Sequence, residues 1–74
     1  MKAIIEFNLP DEQESFEDMV NVNKWISAMF QLDQYLRSQT KYAPETMSED
    51  TYNAFEEART QLHNFMGENG LTFR

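Results

Sequence analysis

The apolar positions of this 74-residue chain change period along its length. Residues 2–8 alternate: Ile4 shares one face with the aliphatic part of Glu6, while Ala3, Ile5 and Phe7 take the other. That period of two predicts a strand. Pro10 offers no ladder donor, so pairing should stop before it. Asp11, with Glu14 three residues on, reads as the N-cap of a helix, and the acids there suit the positive end of its dipole. Phe16, Met19 and Val20 supply the first apolar helical face. Asn21-Val22-Asn23 interrupts it, predicting either a kink or the start of another helix at Asn23. From Lys24 the helical period is strong. Trp25, Met29, Leu32 and Leu36 fall at i, i+4, i+7 and i+11, with Ile26 and Phe30 widening the stripe. This helix is predicted to end near Gln39 or Thr40.

Residues 41–48 read as a loop, with Pro44 turning Ala43 away from helix. Thr46 with Glu49, or Ser48 alone, caps the next helix. Tyr52, Phe55, Ala58, Leu62, Phe65 and Met66 trace its apolar stripe, closed by Gly67 or Gly70 in the left-handed conformation. Leu71-Thr72-Phe73 alternates again and predicts a short strand beside residues 3–7. The expected fold class is therefore α+β. It is a small β-α-α-β module, a helical hairpin (its first helix kinked near Asn21–Asn23) packed on a two-stranded terminal sheet. Residues 1–74 make one domain, and the direction of strand pairing stays open.

Size tightens this picture. A chain this short sits near the lower limit for a self-sufficient core, and with no cysteine it has no disulfide to help. Efficient packing or self-association must supply the rest, which leaves a homodimer open. Ten aromatic residues are available for either. Trp25, Met29, Phe30, Tyr35 and Tyr42 are too many for one narrow stripe, so some face a sheet or a second protein.

Thirteen acids against six bases give a net charge of −7. That balance disfavours direct contact with nucleic acid or an anionic membrane, both of which call for clustered Lys and Arg. It suits a solvated surface, or an acidic face turned to a basic partner. One group of acids runs from Glu6 to Asp18, and a second comprises Glu45, Glu49, Asp50, Glu56 and Glu57. The start of the chain meets Glu6 too early for a signal peptide, and no apolar run reaches the roughly 20 residues that span a bilayer. A cytoplasmic location is expected.

Little here can carry a reaction. Asp33 stands four residues before Arg37, the spacing of an intrahelical ion pair. His63 has no carboxylate one turn away and reads as a half-buried or surface side chain. Neither a Ser/His/Asp set, a phosphate-cradling loop nor a metal motif is present in the sequence. The chain is thus expected to be no enzyme and to hold no cofactor or metal.

Three segments carry a resemblance. They are Glu6-Phe7-Asn8-Leu9-Pro10-Asp11-Glu12 with Phe16-Glu17, Ala28 through Ser38 with Lys41-Tyr42, and Ala58 through His63 with Glu68-Asn69-Gly70-Leu71. Together they resemble a family of short acidic proteins encoded by tailed bacteriophages. The resemblance implies a protein of the host bacterial cytoplasm that binds and disables a bacterial protein, such as a CRISPR effector or another nucleic-acid-handling defence enzyme. The alternative it implies is an assembly accessory acting through homo-oligomerisation. On the first reading Trp25, Tyr35 and Arg37 are the expected anchors, with Glu17, Asp18, Glu56 and Glu57 steering a basic bacterial partner.

Overall fold

A computed structural model describes residues 1–73; Arg74 lies outside the described residues. Two antiparallel helices make up the regular structure: α1 (Gln13–Lys41) and α2 (Glu49–Glu68). The chain is drawn out to 55 × 26 × 18 Å, with a radius of gyration of 17.7 Å. A compact domain of this length would have one of roughly 11 Å.

The caps explain where the helices stop. Ser48, extended at its own position, accepts the Thr51 N–H on its hydroxyl at 3.1 Å and starts α2. At the far end Gly70 takes a φ of +68°. Its N–H reaches the Gly67 carbonyl at 3.0 Å, and the Leu71 N–H reaches the Met66 carbonyl at 2.8 Å, which together form a Schellman closure. Gly70→Ala is expected to cost about 1 kcal/mol, measured by urea denaturation, because only glycine holds that φ without strain.

The start of α1 differs from expectation. Glu12, not Asp11, occupies the cap position, and its side chain makes no capping bond. Its carboxylate instead accepts the Asn8 N–H at 3.1 Å, while its own N–H bonds the Asn8 carbonyl at 2.7 Å. A tight turn over residues 8–12 therefore does the work assigned to a cap. Downstream, α1 is one helix through Asn21-Val22-Asn23, with no second start there. Asparagine's low helix propensity, a few tenths of a kcal/mol per residue, is too small to end a 29-residue helix.

The terminal sheet is absent: the described residues contain no strand, and the fold is a helical hairpin rather than α+β. The reason lies in where the two ends pack. Phe7 sets its ring edge-on to Phe16 at 5.9 Å, and Phe73 does the same to Phe30 at 5.6 Å. Phe16 and Phe30 stand fourteen residues apart on one helix, about 21 Å along its axis. Each terminal segment is held by its own part of α1, out of reach of the other. Two short strands alone would also have gained little, since an isolated pair is marginal in water.

The seam between the helices keeps heptad-like spacing. Met29, Asp33, Leu36 and Thr40 on α1 step by four, three and four, as do Phe55, Arg59, Leu62 and Met66 on α2. All are buried or half-buried. Yet Leu36 is the one buried apolar side chain among the described residues, and its buried companion is Asp33. The chain thus has a seam rather than a core. Since α1 is about 13 Å longer than α2 at 1.5 Å per residue, and the loop joins them at the C-terminal end of α1, the N-terminal half of α1 projects beyond the hairpin.

Candidate protein-binding face

The most ordered polar feature sits at the middle of the seam. Asp33 is 3 % exposed. Its Oδ1 accepts the Arg59 Nε–H at 2.9 Å and also pairs with His63 Nε2. Its Oδ2 takes Gln34 Nε2 at 3.2 Å and Arg59 Nη2 at 3.5 Å. The Arg59 hydrogen bond holds the Asp33 carboxyl below its ordinary 3.8, outweighing burial, which pushes the other way; His63 adds to the lowering. Asp33 raises the Arg59 guanidinium in return.

This corrects the expected Asp33–Arg37 ion pair. Asp33 turns inward to the other helix, leaving Arg37 exposed. His63 is half-exposed, as its sequence context indicates, and its carboxylate partner comes from across the seam. Neither Arg59 nor His63 stood out as a partner of Asp33 in the sequence. The available signal was their spacing, four residues apart on the face that α2 must bury. The cluster is saturated: every buried side-chain nitrogen and oxygen among the described residues has a hydrogen-bond partner. It locks two helices together. No group of three or more His, Cys, Asp or Glu that could hold a metal occurs among the described residues.

The two sides of the hairpin differ in character. One carries a small polar groove lined by Glu56, Arg59, Thr60 and His63. The other carries a larger, open apolar groove of about 440 Å³, lined by Leu36, Thr51, Ala54, Phe55 and Ala58, with Asp50 at its edge. At about 100° per residue, Trp25, Leu32 and Tyr35 fall within about 80° of one another on the Leu36 side of α1. Phe65 continues the Ala54–Ala58 row of α2 by the same geometry. Trp25 is 64 % exposed, Tyr35 55 % and Phe65 60 %. These side chains form an apolar face that the chain itself leaves open, the kind of surface that marks an interaction site.

Of the expected anchors, then, the fold brings Trp25 and Tyr35 to one side, about 15 Å apart along the axis. It separates Arg37, which lies on the opposite side of α1 from Tyr35. The expected steering acids are also divided. Glu17 and Asp18 sit on the projecting half of α1, whereas Glu56 borders the polar groove and Glu57 lies on the outer surface of α2. Leu32 and Phe65 join the face although they read as core positions in the sequence. The Trp25-Ala28-Leu32-Tyr35 spacing of three, four and three was the legible sign of a second apolar row.

Comparison with protein-family models, with characterised proteins and with solved structures gives no match to this chain. Among the described residues, no helix is long and apolar enough to cross a membrane.

Proposed function

We propose that this chain is a non-enzymatic phage protein that binds a bacterial protein and inhibits or modulates it. The observation that carries the binding role is the open apolar face bearing Trp25, Leu32, Tyr35 and Phe65. The phage origin, and a nucleic-acid-handling defence enzyme such as a CRISPR effector as target, rest on the resemblance of the three segments named above. The mechanism is steric and electrostatic. Trp25 and Tyr35 enter the partner's surface, and the charge of −7 steers the complex toward a basic cleft. Arg37 serves a different edge of the contact, given its position across the helix.

Affinity capture from nuclease-treated bacterial lysate, read by mass spectrometry, tests this directly. A stoichiometric basic protein is expected, lost from the Trp25→Ala bait. Its affinity should fall steeply as ionic strength rises through about 0.15 M, where exposed charges beyond about 8 Å are screened. An affinity indifferent to salt removes the steering mechanism. The drawn-out shape and missing core favour a second reading, an assembly accessory acting through homo-oligomerisation. Recovery of the bait alone, or of phage structural proteins from infected cells, would move the assignment there.

A further inference from the structure

Ahead of α1 the chain carries a strand pattern with no strand beside it. Residues 1–7 alternate as a strand does, yet no backbone N–H or carbonyl among them bonds the backbone of another described residue. Ile4 is 82 % and Ile5 63 % exposed, while Phe7 is anchored on Phe16. A free hydrogen-bonding edge of this kind is a template for another strand. That strand does not come from the same chain. Residues 71–73 are short, carry no charge and are held at Phe30 through Phe73.

We infer that residues 1–7 pair antiparallel with the same segment of a second copy, about a twofold axis at Ile4. Residues equidistant from Ile4 match one another in chemistry. Lys2 comes opposite the partner's Glu6, Ala3 opposite the partner's Ile5, and Met1 opposite the partner's Phe7. Each opposed pair recurs on the other side of the axis, as an isologous contact requires. Lys2, Ile4 and Glu6 share one face of the strand, so the two ion pairs flank the contact between the Ile4 side chains. Met1, Ala3, Ile5 and Phe7 make the other face, which is apolar throughout and is the one from which Phe7 reaches Phe16. Two strands alone would be marginal. Here each strand is backed by its own Phe7–Phe16 contact.

The same charges decide direction and occupant. A parallel pair would set Lys2 beside Lys2 and Glu6 beside Glu6, and like charges directly opposite each other are destabilising. The mirror order about Ile4 is what a second copy needs and what an unrelated sheet edge does not. Six residues at about 3.4 Å each separate the two Phe7 side chains by about 20 Å, so the hairpins sit at opposite ends of the ribbon.

This inference goes beyond the bacterial-partner reading, and either can fail without the other. Light scattering on the full chain should give twice 8.8 kDa. Lys2→Glu and Glu6→Lys should each weaken the dimer about tenfold, because each turns both ion pairs into like-charge pairs. Net charge alone predicts otherwise: Glu6→Lys brings a chain of −7 closer to neutral and would then tighten association. Lys2→Glu combined with Glu6→Lys should restore the parent affinity. The two single variants, mixed, should associate with each other better than either does with itself. Both positions are exposed and lie outside the helices, so helix content by circular dichroism should hold in every variant. A monomer at all concentrations, a dimer tightened by Glu6→Lys, or a combined variant as weak as the single ones would each overturn the inference. Trp25-dependent capture of the bacterial protein should be the same for the combined variant as for the parent. Capture lost while the dimer persists counts against that reading and leaves the strand pairing standing.

Discussion

Asp33→Ala is expected to destabilise the protein by about 1–3 kcal/mol. Removing one partner of a buried pair typically costs about 3–5 kcal/mol, but Arg59 and His63 are 34 % and 47 % exposed and can turn to water once released. The loss is the charge-assisted bond from Arg59 and its geometry across the seam. The pH dependence has a definite sign. Asp33 titrates below its ordinary 3.8 in the fold, so its stabilisation is fully present above that value and is lost as pH falls through the lowered one. Denaturation curves from pH 7 to pH 2 should show this loss in the parent chain and not in Asp33→Asn. Equal acid sensitivity in both would remove Asp33 from the account. Asp33→Leu should behave differently. An apolar residue restores an unbroken hydrophobic row, so stability holds or rises while the polar pairing that fixes how the helices align is gone.

The second large effect separates binding from folding. Trp25→Ala and Tyr35→Ala should each lower affinity for the bacterial partner about 30-fold or more. Stability should change by under about 1 kcal/mol, because both side chains are more than half exposed. Leu36→Ala should do the reverse. Its side chain is the buried apolar one, and such truncations cost about 2–5 kcal/mol. The paired measurements are calorimetric titration against the captured partner and thermal unfolding. Should Trp25→Ala unfold the protein as Leu36→Ala does, Trp25 belongs to the packing and the anchor assignment falls.

The legible parts of this protein were those governed by local chemistry. Ser48 and Gly70 bracket α2 as cap residues should, and the apolar row from Tyr52 to Met66 yields one helix. The failures came where distance in space decides. Residues 3–7 and 71–73 alternate like strands, yet alternation cannot tell that Phe16 and Phe30 hold the two ends apart. Asp33 and Arg37 have ideal helical spacing, but spacing says nothing of which side of α1 meets α2. The site was half legible for the same reason. A surplus of aromatics could be counted along the chain, whereas sorting Trp25 and Tyr35 from Arg37 required the hairpin's orientation.

The uneven cover along α1 also grades the molecule mechanically. Where α2 and the Asp33 cluster lie against it, opening the backbone must break packing and the Asp33–Arg59 ion pair together. Over residues 13–26 the helix's own hydrogen bonds and the Phe7–Phe16 contact resist fraying without any cover from α2, so local opening there needs less free energy than unfolding the hairpin. The soft end thus carries Met19, Val22 and Ile26 together with Glu14, Glu17 and Asp18. Any partner that seats on it must also order it, and that ordering cost is subtracted from the contact energy.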